Sequence, residues 1–186
     1  MTRVKAKTEK MVSLIKSFLK KDKITFSMVS DDCIEIYIQA NNVNLIILIY
    51  VVRDHVIIRT PEFVRNIPLK RIDVMSFIIQ VMTDVLDIRF EFSEDYTALS
   101  ASCQHIVEDN PFTKKQFDLM MTVLISITDD VYPQIMKIIY SGNNDDILQD
   151  NLLDDDLIED VEHELDDELD DFDNHSDIDD DEHKIN

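Results

Sequence analysis

The stretch CIEIYIQANNVNLIILIYVVRDHVIIRT, residues 33–60, contains three β-strand patterns separated by two short turns. In residues 33–39, isoleucines alternate with Glu, Tyr and Gln, which is the period of a strand with one buried face. Asn41-Asn42 and Arg53-Asp54 favour turns, because such residues hydrogen-bond their own backbone. Strands joined by such short connections are antiparallel neighbours, so the stretch predicts a meander. Thr60-Pro61 is expected to end its last strand, because proline has no N–H to donate.

Helical and strand patterns on both sides of the meander complete the predicted order of elements. An amphipathic helix over Val4–Lys20 and a weak strand over Ile24–Met28 precede it. It is followed by a helix over Leu69–Leu86, strands over 88–92 and 99–104, and a helix from the capping box at Thr113-x-x-Gln116 to Gly142. The order α-ββββ-α-ββ-α predicts an α+β fold, with three helices packed on an antiparallel sheet of about six strands.

The second and third helices have sequence features that predict how each one packs. In the second helix, the apolar stripe expected to face the core comprises Ile72, Met75, Ile78, Ile79, Met82, Val85 and Leu86. In the third, Asp129-Asp130 and Pro133 predict a break or a kink with a newly capped helix after it. Aspartate favours helix starts, and an internal proline removes a helical hydrogen bond.

The charge of the chain is concentrated at its C-terminal end. The formal net charge is −21, from 39 acidic and 18 basic residues, and residues 143–186 hold 21 of the acids and one base. We therefore divide the chain into a nearly neutral domain, 1–142, and an acidic low-complexity tail, 143–186.

The tail has one regular feature, an apolar residue at every fourth position. These residues are Leu153, Leu157, Val161, Leu165 and Leu169. The spacing predicts a marginal amphipathic helix over 150–172, which would form when docked on a basic and apolar surface, because its acidic residues repel one another. A solubilising tail without regular structure is the alternative.

Several classes of function are excluded by composition. One glycine in the whole chain, Gly142, cannot supply the glycine-rich loops that hold phosphates or dinucleotides. Cys33 and Cys103 lie in separate strand patterns, so we expect buried reduced thiols and no disulfide. His55 and His105 lie near strand ends, and no nucleophile pairs with either of them. The sequence therefore predicts no enzymatic activity, no cofactor and no metal site.

Two further negative expectations concern cations and membranes. Residues 171–182 place acidic residues at several ligand positions of a calcium loop, but Ser176 occupies the position where the sharp turn needs glycine. We therefore expect the tail to bind divalent cations only weakly and without specificity. The longest apolar run, Val43–Val52, is about half the length of a membrane-spanning helix. We expect a cytoplasmic protein with no membrane partner.

The second half of the domain resembles a known family. The resemblance is carried by Arg71 before an apolar helix, by LDIRFEF over 86–92, and by the long helix from Phe112-Thr113 through Tyr132-Pro133. With the order of elements over residues 5–141, these features are similar to the YbjN-like domains, which share the fold of small type III secretion chaperones. The resemblance implies a non-enzymatic, cytoplasmic, often dimeric module that binds extended segments of a partner or acts as a regulator. It implies no functional residues.

Residues 44–52 are apolar on both sides of the predicted strand. The residues on its second side are Ile46, Leu48, Tyr50 and Val52. Either helices cover both sides, or a second subunit or another partner covers the outer one. We favour a second subunit or a partner, since only three helices are available and one of them is basic.

The first helix has a lysine-rich face. It is formed by Lys5, Lys7, Lys10, Lys16 and Lys20. A solvated helix face is the simple explanation, and a surface for nucleic acid, membrane, an acidic partner or the tail is the functional one. Together the patterns predict a protein-binding module, a homodimer or an adaptor for a partner segment, whose tail tunes solubility or access. A nucleic-acid-linked regulator that uses the lysines, with the tail as electrostatic competitor, is the alternative.

Overall fold

The computed structural model describes residues 2–69, 71–107 and 111–141, with side chains from Ala6 onward. The elements are α1 (Thr2–Lys21), β1 (Phe26–Ser30), β2 (Cys33–Gln39), β3 (Asn44–Val52), β4 (His55–Arg65), α2 (Ile72–Asp84), β5 (Arg89–Phe92), β6 (Ala98–Ile106) and α3 (Lys114–Ser141). The predicted α+β fold and its order of elements are confirmed within these residues. The tail, 143–186, and the predictions made for it lie outside them.

All six strands form one antiparallel sheet in the order β1-β2-β3-β4-β6-β5. The meander β1–β4 forms as predicted, with Ile36 opposite Ile47. β6 pairs with β4, where Cys103 lies opposite Ile58, and β5 then forms the far edge. This register fixes which side chains share a face, because successive residues of a strand point to opposite sides.

The three helices pack on one face of the sheet. α1 contacts β3, α3 contacts β4 and β6, and α2 contacts α3 and β5. The sheet residues beneath them are all buried: Ile34, Ile36, Leu45, Ile47, Ile49, Val51, Val56 and Ile58. Phe77 and Phe117 are the largest fully buried side chains that the helices contribute to this layer. The core therefore lies between one helical layer and one face of the sheet.

Both cysteines lie in the sheet as free, buried thiols, as expected. Burial is the main cause that raises the pKa of Cys33, and burial raises the pKa of Cys103 to about 12. Both thiols are therefore protonated at neutral pH. No helix among the described residues is long and apolar enough to cross a membrane.

Strand β4 does not end at Thr60-Pro61, so that prediction was wrong. The strand continues to Arg65, and its pairing with β6 shifts register between Thr60 and Val64. Glu62 has a positive φ of 44°, and its N–H donates to the Ser100 hydroxyl at 2.9 Å. Proline is tolerated here because the bulge leaves its position out of the ladder.

Helix α3 begins as predicted but has no break. Thr113 Oγ1 accepts the N–H of Gln116, and Gln116 Oε1 accepts the N–H of Thr113, which completes the capping box. The predicted break at Asp129-Asp130 and Pro133 was wrong, since one helix continues through Pro133 to Ser141. Asp129 caps no helix and binds the turn between β2 and β3 instead.

Candidate functional site

The outer face of the sheet, opposite the helices, contains the four predicted partner-binding residues. The register places Ile46 opposite Tyr37, and Tyr50 between Cys33 and Ile57. Ile46 and Val52 are exposed, at 38% and 48%, and Leu48 and Tyr50 are half-buried. These side chains point away from the buried row of β3, and the helices described above pack on that buried row. The structure therefore brings all four together on an open surface.

Residues of the neighbouring strands extend this apolar surface. Ile57 of β4 lies beside Tyr50 and is half-buried, and Ile106 of β6 lies opposite His55 and is exposed. Ile57 and Ile106 were not among the predicted partner-binding residues. Their alternation was visible in the sequence, but the pairing of β6 with β4 was not. We call the face formed by Ile46, Leu48, Tyr50, Val52, Ile57 and Ile106 the open sheet face.

Polar groups border the open sheet face. Arg59 forms an ion pair with Glu91 at 2.8 Å, across β6, on the same side of the sheet. On β2, the Tyr37 hydroxyl donates to Glu35 at 3.1 Å, and this bond is the main cause that raises the pKa of Tyr37. Burial raises the pKa of Tyr50. The two tyrosines therefore stay neutral at physiological pH. The open sheet face is thus apolar at its centre and has hydrogen-bonding groups at its rim, which is the usual layout of a protein interface.

Helix α2 presents a second apolar surface, which corrects its predicted stripe. The buried residues of α2 are Val74, Phe77, Ile78 and Val81. Ile78 of the predicted stripe is buried as expected. Four other residues of that stripe are exposed: Ile72, Ile79, Met82 and, just beyond the helix, Leu86, at 72%, 61%, 37% and 83% respectively. The helix is apolar on two sides, and the sequence pattern could not show which side faces the core. We call Ile72, Met75, Ile79 and Met82 the α2 seam.

The lysine-rich face of α1 is only partly ion-paired. Lys7 contacts Asp54 and the Val107 carbonyl, and the Lys5 side chain lies outside the described residues. Lys10 and Lys20 are exposed and Lys16 is half-buried, and none of the three forms an ion pair with a carboxylate of the described part of the chain. The face is therefore a cationic surface.

The histidines of the domain take part in packing. The His105 ring lies 5.4 Å from the Phe112 ring, and His55 is half-buried at the start of β4. In the described ranges, no group of three or more His, Cys, Asp or Glu side chains could hold a metal ion. The tail residues proposed for partner or cation binding, Leu153 to Leu169 and 171–182, lie outside the description.

Solved structures that are similar to this chain include the following two. YbjN from E. coli, a candidate transcription regulator, shares 12% of residues over 69% of this chain and 88% of its own, with a TM-score of 0.46. The heterodimeric ExoU–SpcU complex from the type III secretion system of Pseudomonas aeruginosa matches at 8% identity, over 68% of this chain and 98% of the matched chain, with a TM-score of 0.46. They correspond to the two groups that the sequence resembles, and the likeness concerns the fold alone. No protein-family model and no curated protein matches.

Proposed function

We propose that this domain is a non-enzymatic protein-binding module whose open sheet face binds an apolar, extended segment of another polypeptide. One observation carries the proposal: six apolar side chains from three adjacent strands share a face that the described helices leave uncovered. Contiguous exposed apolar surface on a soluble domain marks an interaction site, because leaving it in water is unfavourable.

The chemistry of the face favours an extended polypeptide as its occupant. Its side chains stand in parallel rows at strand spacing, so alternate side chains of an extended segment fit between the rows. Tyr37 and Tyr50 supply hydroxyls at the rim and in the centre, where a bound backbone needs hydrogen bonds. If the bound segment covers the exposed part of Ile46 and of Val52, each side chain contributes roughly 1–2 kcal/mol to the free energy of binding.

The test is binding of full-length protein to an array of short synthetic peptides of graded apolar content. Wild type is expected to bind the apolar peptides, and the double variant Ile46→Asp with Val52→Asp to bind them about tenfold or more weakly. Asn44→Asp, at an exposed position of the same strand and face, is the matched control and is expected to bind like wild type. Equal binding by wild type and the double variant, or no binding by wild type, would contradict the proposal.

The acidic tail, 143–186, is proposed to tune solubility and access to these surfaces, since 21 acids in it repel one another and other anions. The cytoplasm is the proposed location. Its reducing conditions suit the two free thiols.

The cationic surface of α1 favours one alternative, a nucleic-acid-linked regulator. Lys10, Lys16 and Lys20 would contact phosphates, and the tail would compete with them. Deleting 143–186 separates the alternatives. The regulator is supported if the deletion variant binds a DNA or RNA duplex that the full chain does not bind. This binding should fall steeply with salt and be lost in the double variant Lys10→Glu with Lys20→Glu. Indifference to both nucleic acids at low salt supports the protein-binding module.

A further inference from the structure

The polar border of the open sheet face contains two arginines that share one carboxylate. Arg59 of β4 and Arg89 of β5 lie opposite Ser102 of β6, one on each side of it, so they belong to one cross-strand row. The Arg59 Nη1 atom lies 2.8 Å from one carboxylate oxygen of Glu91, and the Arg89 Nε atom lies 3.2 Å from the other. We call Arg59, Arg89 and Glu91 the arginine cluster. Two guanidiniums and one carboxylate leave it with one net positive charge.

The arginine cluster keeps hydrogen-bond donors that these contacts do not use. Every nitrogen of a guanidinium carries at least one N–H group, and the ion pairs engage one nitrogen of each arginine. In the described part of the chain, neither arginine has another hydrogen-bond or ion-pair partner. The Arg59 side chain is 36% exposed, so most of its surface is already out of water. An anion that approaches it therefore meets a charge that water screens less than on an open surface.

The cluster adjoins the apolar part of the open sheet face. Leu48 of β3 lies directly opposite Arg59, and Ile57 precedes Arg59 by two residues on the same side of β4. Neighbouring strands are about 5 Å apart, and same-side residues of one strand about 7 Å apart. A segment that covers Leu48 or Ile57 therefore passes within reach of the Arg59 guanidinium.

We propose that the arginine cluster binds the carboxylate of an Asp or Glu side chain in the extended segment that covers the open sheet face. This inference rests on the proposed function and deepens it, because it states the chemistry of the segment. The acidic residue lies about two residues from the apolar residue over Leu48 or Ile57, since same-side residues of an extended segment repeat at that spacing. Apolar contacts supply the affinity, and the acidic residue sets which segment binds and where it lies.

The charge of the cluster suits one carboxylate. A carboxylate brings one negative charge and two acceptor oxygens, which match the net charge of the cluster and the fork of a guanidinium. A phosphorylated side chain carries nearly two negative charges and would leave an excess negative charge beside Glu91. A Lys or Arg in the segment would meet two guanidiniums of like charge, so basic segments are rejected.

Paired synthetic peptides test the proposal on the full-length protein. The two peptides have the same apolar block and an amidated C-terminus, and differ only in having Glu or Gln two residues from the block on both sides. Wild type is expected to bind the Glu peptide about fivefold or more tightly than the Gln peptide. This preference should shrink as salt is added, because salt screens a partly exposed ion pair.

Single variants assign the preference to the cluster. Arg59→Gln and Arg89→Gln are expected to lose the preference for Glu and to bind the Gln peptide like wild type, which also shows that they are folded. Arg65→Gln is the matched control. Arg65 lies at the far end of β4 and is mostly exposed, so this variant removes the same charge and should keep the preference.

The outcomes separate this inference from the proposed function. Equal binding of the two peptides by wild type, or a preference that survives in Arg59→Gln, would overturn the inference and leave the protein-binding module standing. Binding of neither peptide would contradict both. A phosphoserine peptide that binds more tightly than the Glu peptide would also overturn the inference, because the cluster would then select phosphate.

Discussion

Asn42 donates its backbone N–H to the Asp129 carboxylate at 2.6 Å and its side-chain amide to the Asp129 carbonyl oxygen at 3.2 Å. That carbonyl is the one that residue 133 would bond in a regular helix, and residue 133 is proline. The turn between β2 and β3 therefore supplies the donor that α3 lacks. Asn41 and Val43 add their N–H groups to the same carboxylate, at 3.1 and 3.2 Å. This contact joins α3 to the end of the sheet.

We predict that Asp129→Asn destabilises the domain by about 2–4 kcal/mol, measured by urea unfolding at neutral pH. Asp129 is 5% exposed, and its carboxylate accepts three backbone N–H groups. An amide offers one oxygen and turns an NH₂ group toward the other donors, and each buried donor left unpaired costs about 1–3 kcal/mol.

The neighbouring residue supplies the control for this prediction. Burial, and then the charge of Asp129, raise the pKa of Asp130, and its Oδ2 atom has no hydrogen-bond partner among the described residues. Because the pKa of Asp130 lies above 3.8 in the folded protein, ionisation of this carboxyl lowers the free energy of unfolding as the pH rises from 3.8 through the pKa of the folded state. Asp130→Asn is therefore expected to be neutral or stabilising at pH 7, with no gain below pH 3.8. If Asp129→Asn and Asp130→Asn lowered the free energy of unfolding equally, the loss could not be assigned to the hydrogen bonds of the Asp129 carboxylate.

A double-mutant cycle tests the link between Asn42 and Pro133. Pro133→Ala restores an N–H that can donate to the Asp129 carbonyl. Asn42→Ala should therefore cost less in that background than in wild type, with a coupling of about 0.5–1.5 kcal/mol. Free energies of unfolding of the four proteins give the coupling directly. Additive effects would mean that the Asn42 amide does not replace the missing helical donor.

These contacts show where the sequence was sufficient and where it was not. The order of elements follows from local periodicity and turn residues. Strands β2 and β3 begin and end where the alternating stretch Cys33–Gln39 and the apolar stretch Asn44–Val52 predicted. Asp129 and Pro133 have the local properties of a helix break. The donor that takes the place of the missing helical N–H comes from a turn more than 80 residues earlier in the chain, and the local pattern carries no information about it.

The candidate surfaces were predictable to a similar extent. The outer side of β3 could be identified because Asn44–Val52 has no polar side at all. The α2 seam could not be separated from the core side of α2, because both are apolar and only packing against α3 and β5 decides between them. The continuation of β4 past Pro61 depends on a bulge against Ser100, which is again a contact distant in sequence.

Two buried threonines make a matched pair for a prediction about unpaired hydroxyls. Thr60 and Thr128 are both fully buried, but only Thr128 has partners, the carbonyls of Leu124 and Ile125, and no described residue pairs with the Thr60 hydroxyl. Thr60→Val is expected to raise the free energy of unfolding by about 1 kcal/mol, because it removes an unpaired polar group and keeps the shape. Thr128→Val is expected to be neutral or destabilising. Thermal unfolding measures both variants. A lower stability of Thr60→Val would contradict the prediction, because it would mean that the Thr60 hydroxyl stabilises the folded protein.

Arg71 joins the start of α2 to the end of α3. Its guanidinium donates to both oxygens of Asp73 and to the carbonyls of Ile138 and Ile139, the last at 2.9 Å. The end of a helix leaves such carbonyls without helical partners. We predict that Arg71→Lys, which keeps the charge and loses the planar fork, costs about 1–3 kcal/mol and speeds amide hydrogen exchange in the last turn of α3. Arg65→Lys is the control, because its ion pair with Glu62 is mostly exposed and should contribute little.

The same cluster predicts a pH dependence. The hydrogen bonds from Arg71 are the main cause that lowers the pKa of Asp73 below 3.8. A lowered folded-state pKa means that the stability contributed by the charged carboxylate is present above pH 3.8 and is lost as the pH falls through the folded value. Asp73→Asn should therefore be less stable than wild type at pH 7, and the difference should shrink below pH 3.8. Unfolding curves across that range measure it, and a difference that stays constant into acid would show that Arg71 holds α3 without help from the charge of Asp73.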